Sequence, residues 1–384
     1  MTKRFIEAVS LYAISKAIML AGSILALKSA AIPLSKLLYF AVVYSSYHDD
    51  ATWYSAISSF GYIREEAPFW PGWPLLVTGV HILTGTSVVT SGIVLANCLQ
   101  IIDIGLILEL FRKLLGSETG KIAGILWAVY PMSVFLSSDY TEPLFILGMI
   151  GTMLFLHDRR YWEAGIFAGI ATITRNSGVL LVIPIGYSIW SDYRTHGRVR
   201  LKSYLPFLSI IVSFVGYCIY LWFKFDSPVL WSTMEKLWGR QFEWPWITLI
   251  KGVWVLPHVW RSSGGYGHVY YALQYGSVFL ALASLPTVWR RLPRSWFWLL
   301  MAQIVLPLCD PGIGAQAITG YTKHITDYFF SFDRFTLTMI PVFAALALRL
   351  REINFIKPKW IYTVYATGTA LCTNVALTLH MFIG

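Results

Sequence analysis

The sequence predicts an all-α polytopic membrane protein, and three observations carry that reading. Hydrophobic residues make up 56% of 384 and charged residues only 13%. The apolar residues fall in repeated runs of helix length, and the basic residues fall in short clusters between them. Such a composition excludes an ordinary soluble domain. In hydrocarbon a spanning segment must satisfy its own backbone, as a helix of about 20 residues or as a closed barrel. Barrel strands alternate apolar and polar residues, and these runs do not. The net charge of +10 would point to nucleic acid in a soluble protein. Here its distribution reads as membrane topology, so a lipid bilayer and no nucleic acid is the expected partner.

In chain order, the expected spans are Leu11–Ala31, Val88–Phe111, Ile122–Leu136, Pro143–Leu156, Ala164–Ile189, Tyr204–Phe223, Tyr270–Val288, Trp296–Leu308, Phe335–Leu348 and Ile361–Met381. Two further apolar stretches, Leu34–Tyr44 and Trp73–Leu83, extend or re-enter the membrane. Lys3 and Arg4 ahead of the first span fit a signal-anchor helix rather than a cleaved leader. Basic clusters sit at Lys3/Arg4, Arg112/Lys113/Lys121, Arg159/Arg160, Arg194/Arg198/Arg200/Lys202, Arg290/Arg291/Arg294 and Arg349/Arg351/Lys357/Lys359. With the N-terminus cytoplasmic, all of them come out inside, provided that Ala164–Ile189 enters and leaves as a broken hairpin. Asp49, Asp50, Asp139, Glu142, Asp310, Asp327 and Asp333 then share the outside. The chain reads as one transmembrane domain, 1–384, with outside loops at 45–86, 224–267 and 310–334; no stretch between spans is long enough for a soluble core. Cys98, Cys218, Cys309 and Cys372 are scattered without CxxC spacing or nearby histidines, which argues for buried structural thiols.

The hairpin rests on Thr172-Ile173-Thr174-Arg175-Asn176-Ser177-Gly178, a polar interruption in an apolar run. Such breaks occur where backbone is buried in protein or lines a cavity. The guanidinium of Arg175 stays charged and matches a phosphate; pairing with Asp139 or Glu142 is the structural alternative.

The stretch that stands apart is Tyr47–Leu76, YHDDATWYSAISSFGYIREEAPFWPGWPLL. It sets Asp49 and Asp50 beside a long apolar run, then Arg64-Glu65-Glu66, then the aromatic-proline block Phe69 to Pro74. Ionisable groups at the mouth of a membrane segment are costly to place, which favours function over a plain connector. The loop 224–267 carries Trp238, Arg240, Gln241, Glu243, Trp244, Trp246, Trp254, His258 and Trp260. It reads as an interfacial belt, with Gly239-Arg240-Gln241 also fit to grip a sugar or phosphate.

From Asp50, the run D-A-x-W-Y-x-x-I-x-x-x-G-Y followed by F-W-P-G-W-P resembles the glycosylphosphatidylinositol mannosyltransferase II family. Tyr140-Thr141-Glu142-Pro143-Leu144-Phe145 is similar to that family's Y-[ST]-E-x-L-F segment, and Gly169–Gly178 to its G-[LF]-A-x-x-x-R-x-x-G segment. The likeness runs in order over Asp50 to Pro184; Asp49 stands where the family has Trp. It implies a GT-C membrane bundle of about 10–11 helices with a catalytic first outside loop. It also implies transfer of mannose from a dolichyl or other polyprenyl phosphate to a glycolipid, at the endoplasmic reticulum in a eukaryote or the plasma membrane in a prokaryote. Asp50 matches its loop Asp, and Glu142 and Arg175 the charged positions of its later motifs.

The residues themselves permit that chemistry. Inverting transfer needs one carboxylate to take the acceptor's proton, and Asp50 is the candidate. A departing phosphate needs fixed cations; topology offers Arg175, Arg240 and Arg334, with Asn176, Gln241 and Glu142 beside them. His48, Asp49, Trp70 and Asp139 are candidate lining residues. Neither a Walker loop nor a dinucleotide fingerprint occurs, in keeping with a lipid-linked donor. No cofactor is expected, although the acid pair leaves a divalent cation open and no other metal site is visible. A transporter, or a non-catalytic subunit of a glycolipid assembly, is the alternative, since broken helices with intramembrane charge suit a substrate path too.

The topology makes a direct prediction. In intact cells, a single cysteine at position 65 is labelled from outside by an impermeant thiol reagent, and one at position 198 is not. Labelling at 198 reverses the orientation.

Overall fold

The protein is described here from a computed structural model covering residues 2–29, 33–36, 47, 49–263, 265–316, 323–324, 326–352, 364, 367–369 and 371. Helix α1 (Thr2–Ser29) is followed by α2 (Asp50–Phe60) and α3 (Gly72–Thr84), then by α4 (Val88–Leu115) and α5 (Ser117–Ala128). Next come α6 (Glu142–His157), α7 (Tyr161–Thr174), α8 (Val182–His196), α9 (Leu205–Phe225) and the single turn α10 (Leu230–Thr233). Then follow α11 (Pro245–Ser262), α12 (Gly265–Arg291), α13 (Arg294–Leu308), α14 (Phe332–Thr336) and α15 (Ile340–Glu352). Among the described residues, four stretches are long and apolar enough to cross a membrane by themselves: Arg4–Leu25, Val88–Leu115, Leu201–Phe225 and Gly267–Arg291. Shorter apolar helices, Gly72–Thr84, Glu142–His157 and Arg294–Leu308, pack among them.

Helix α4 begins at Ser87, whose hydroxyl accepts the Thr90 amide at 3.1 Å, and ends at Gly116 with φ 80°. That left-handed residue turns the chain into α5. Ion pairs Arg4–Glu109 and Arg112–Glu7 fasten α1 along α4. The largest buried cluster draws on α4, α5, α6, α7, α12, α13 and α15. A second, aromatic one lies beside α2 and α3, where Trp70, Phe214, Tyr217 and Trp231 crowd together. Between apolar helices in lipid, close approach and small residues replace the hydrophobic drive.

The α7–α8 segment is a hairpin. Arg159 at the start of α7 pairs with Asp192 near the end of α8, and the Tyr161 hydroxyl donates to the same carboxylate. Helix α7 stops at Thr174, Arg175 is extended (φ −150°, ψ 142°), and a 3-10 turn over Asn176–Leu181 leads into α8. At the fold-back a side chain on Gly178 would meet the backbone of Ala171 and Thr172 at 2.6 Å.

Other elements differ from expectation. The span drawn at Ile122–Leu136 is not one helix, because α5 stops at Ala128 and Pro131–Leu136 forms a 3-10 turn. Proline lacks the N–H that would continue the helix. The stretch Phe335–Leu348 is likewise split, between α14 and α15, with Pro341 at the restart. The loop 224–267 is largely folded: it holds α10, the strand β1 (Trp238–Arg240) and α11. Strand β1 pairs antiparallel with β2 (Gly312–Gln316), and β2 with β3 (Lys323–His324), a small sheet that no alternation in the sequence announced. Most of Leu34–Tyr44 and Ile361–Met381 lies outside the described residues.

Close helix contact predicts one sensitive position. A Cβ on Gly148 of α6 would lie 2.6 Å from the Ala171 amide nitrogen and 2.8 Å from the Phe167 carbonyl oxygen on α7. Gly148→Val should therefore cost about 1–3 kcal/mol or more, as overpacking does. The check is the midpoint of denaturation in detergent.

Candidate functional site

Helix α2 starts at the acid pair. Asp49 sits at its N-cap with φ 48°, and Asp50 is its first residue, where a helix N-terminus favours a carboxylate. The helix is fixed from behind: Ser55 donates to Asp139 Oδ2 at 2.8 Å, and the Trp73 indole to Oδ1 at 2.8 Å. Asp139 is thus a tie between the first outside loop and the Ser137–Thr141 turn. Burial pushes its carboxyl up to about 6, opposed by those two hydrogen bonds. Two close approaches support the tie. A side chain at Gly92 would run into the Asp139 carboxylate, and one at Gly72 would lie 2.9 Å from the Cα of Thr174, at the hairpin tip.

Beside this anchor, residues from four separate stretches meet. Glu142 opens α6 and is fully buried. Its Oε1 accepts Nη1 of Arg175 at 2.5 Å and Nε of Arg334 at 2.6 Å. Arg334 also gives Nη1 to Oδ2 of Asp50 at 2.7 Å. Its guanidinium lies over Phe135 and Tyr140, with the centroids at 4.9 and 4.7 Å. Helix α14 is seated by Asp333, whose Oδ1 accepts the Arg334 amide at 2.8 Å and whose own amide donates to Gln274 at 3.3 Å. Burial raises the Asp333 carboxyl to about 8. The network is unevenly exposed: Asp50 retains 22% of its side-chain surface, against 18% for Arg175 and 5% for Arg334. Asp50 and Arg175 therefore face outward, and Arg334 is the buried link between them.

Arg240 joins from the sheet. Its Nη1 donates to the Asp310 carbonyl at 2.6 Å, and its guanidinium lies 4.9 Å from the Phe330 centroid and 5.7 Å from that of Phe335. Arg175 is 5.6 Å from the same Phe335 ring, so both cations meet one aromatic side chain. Asn176, next to Arg175, is half-buried, and Gln241 is exposed and directed along β2 toward Gly314.

Two of the expected lining residues are placed otherwise. Trp70 is 3% exposed within the aromatic cluster, because the proline turn rolls its ring against Phe214 and Tyr217. Asp139 is 1% exposed, both oxygens taken by Ser55 and Trp73. His48 lies outside the described residues. Sequence reasoning missed Glu235. It sits in a 3-10 turn over Met234–Leu237, and the charges nearest in effect are Asp310, Arg240, Asp50 and Arg175. A lone glutamate in an aromatic loop gives no pattern by which to find it. Among the described residues, no group of three or more His, Cys, Asp or Glu is placed to hold a metal ion.

Comparison with known proteins bears on this arrangement. The profile of the family described as dolichyl-phosphate-mannose-protein mannosyltransferase matches residues 66–222. No curated protein matches by sequence. The crystal structure of ArnT from Cupriavidus metallidurans, bound to undecaprenyl phosphate, superposes with TM-score 0.51 at 14% identity, over 93% of this chain and 76% of that one. The Archaeoglobus fulgidus oligosaccharyltransferase, tethered to an acceptor peptide, gives 0.43 at 12% identity over 95% of this chain. The chain spans about half the length of that protein, 55%. The fold is an all-α GT-C membrane fold, as the resemblance implied.

The ion-pair network makes a stability prediction. Removing one partner of a buried pair leaves an uncompensated charge, typically costing about 3–5 kcal/mol. Arg334→Met should lose about that much, and Arg334→Met with Glu142→Gln should lose less than the sum of the two singles. Additive losses in denaturation midpoints would dissolve the network.

Proposed function

We propose that the chain is a membrane glycosyltransferase that moves a sugar, mannose or a close relative, from a polyprenyl-phosphate donor to a glycolipid acceptor on the outer face. One observation carries the reading. Asp50, Glu142, Arg175 and Arg334, distant in sequence, join through two carboxylates and two guanidiniums at the junction of the first outside loop with the helix ends. The match over residues 66–222 and the GT-C fold support it. The finer assignment to a glycosylphosphatidylinositol-type enzyme rests on the motif resemblance alone.

The reaction divides between the two ends of this network. Asp50, at the exposed end, takes the proton of the acceptor hydroxyl as its oxygen attacks the anomeric carbon. The bond from that carbon to the phosphate oxygen breaks, and the phosphate leaves with the electron pair. Its negative charge falls to Arg175 and Arg240, the two guanidiniums that share the Phe335 ring. Arg334 orients Asp50 through Oδ2 while Glu142 offsets the arginines. Attack opposite the leaving group inverts the anomeric carbon, so no covalent sugar–enzyme intermediate is required.

The test is transfer of radiolabelled mannose from a polyprenyl-phosphate donor to lipid by the purified protein in nanodiscs. Asp50→Asn should lower the rate at saturating donor by about 10²–10⁴-fold, the usual cost of a lost general base, with donor affinity near wild type. Asp49→Asn should be far milder. A dead Asp49 variant beside an active Asp50 variant would move the base to Asp49.

A further inference from the structure

We propose that Glu235 selects the transferred sugar by accepting hydrogen bonds from its hydroxyls, on the turn that packs beside the helix of Asp50. The inference rests on the transferase reading above and names a part of the site that the motifs do not reach.

Placement is the first argument. Trp53, one turn beyond Asp50 on α2, packs edge-on against Trp238 with centroids 5.3 Å apart, and both rings contact Phe69. Trp238 begins β1, immediately after the 3-10 turn that holds Glu235. The wall bearing Glu235 is therefore bolted directly onto the helix bearing Asp50. From the same wall, Arg240 reaches the Asp310 carbonyl and the Phe335 ring. The charges of Asp310, Arg240, Asp50 and Arg175 all act on Glu235, in keeping with that placement.

Partnering is the second argument. Among the acids of the central network, Asp50 and Glu142 Oε1 are engaged by arginines, and Asp139 by Ser55 and Trp73. The Glu235 side chain makes no ion pair or hydrogen bond to a described residue, although it is half-buried. A carboxylate left open at a buried edge beside two cations keeps acceptor oxygens for hydroxyl donors, which is what a sugar presents in number. With Arg175 and Arg240 assigned to the phosphate, Glu235, on the turn that leads into the strand of Arg240, is left for the sugar.

Burial and the neighbouring Asp310 charge push the Glu235 carboxyl up to about 7. The acceptor form is thus full above that pH and lost below it. KM for the sugar donor should rise as pH falls through 7 in the wild type and stay flat there in Glu235→Gln. A purely structural glutamate would not produce that difference.

The experiment uses the full chain in nanodiscs with polyprenyl phosphates carrying mannose, glucose or galactose, and with sugar-free polyprenyl phosphate. Losing a hydrogen bond to a charged group typically costs about 10- to 100-fold. Glu235→Gln should raise KM for the preferred donor by that factor, flatten the preference among sugars and leave affinity for the sugar-free lipid within about twofold. Glu235→Asp, which keeps the charge, should retain part of the preference. Unchanged sugar preference in Glu235→Gln overturns the proposal, as does an equal loss of affinity for the sugar-free lipid. A wild type that transfers none of the sugars overturns the transferase reading itself, and this inference with it.

Discussion

One carboxylate oxygen holds the site together. Glu142 Oε1 is fully buried and takes a hydrogen bond from each of two guanidiniums. A lone buried carboxylate would be costly, and two fixed arginines reverse that. Because the arginines come from the hairpin tip and from α14, the oxygen also fixes where those two elements meet. Arg334 then carries the constraint to Asp50 on α2. Four stretches of chain far apart in sequence are registered against one another through a single acceptor. Displacing it would leave Arg175 without its ion-pair partner and Arg334 with Asp50 alone, so the network holds as a unit.

Under the proposed function, the charge count of that network calls for a further cation. Two carboxylates and two guanidiniums cancel, and a phosphate brought to Arg175 would make the sum negative. Arg240 supplies the difference. Its hydrogen bond goes to a backbone carbonyl rather than to a carboxylate, so no ion pair among the described residues engages its charge. Phe335 sets the spacing, with Arg175 and Arg240 on it at 5.6 and 5.7 Å. One aromatic ring thus offers each of two like charges a cation–π contact.

Much of this was legible in the sequence, for identifiable reasons. Asp50, Glu142 and Arg175 belong to three ordered motifs, and Arg240 and Arg334 emerged from topology, because basic-cluster counting leaves few arginines on the outside. The hairpin was readable because a charged, polar interruption at the middle of an apolar run is costly to hold in lipid as continuous helix. Asp139 and Trp70 were not readable as packing residues. An acid or indole at a membrane mouth looks the same whether it faces water or is tied from behind, and only the positions of Ser55, Trp73 and Tyr217 decide. The sheet was not readable because strands of two to five residues in a Gly-rich loop show no period. Trp238 pairs with Gln316, far along the chain, and no local pattern encodes such a partner.

The same contrast separates the two walls of the cavity. The wall made by helix ends is fixed by buried charge and by glycines that let α3 rest on the hairpin tip and α4 on Asp139. Changing a residue there disturbs packing, pairing and the candidate base together. The opposite wall is a short sheet with a 3-10 turn, joined by backbone hydrogen bonds such as Glu243 to Cys309 at 3.1 Å. Backbone pairing is indifferent to side-chain identity, so Glu235 and Gln241 can vary without loosening β1 from β2. Under the proposed function, the base and its ion pairs sit on the side that cannot change, while Arg240 and Glu235 carry donor recognition on the sheet side. Loops carried on a rigid scaffold generally divide labour in this way. The position of Glu235 on the sheet side, rather than among the buried ion pairs, is what that division requires.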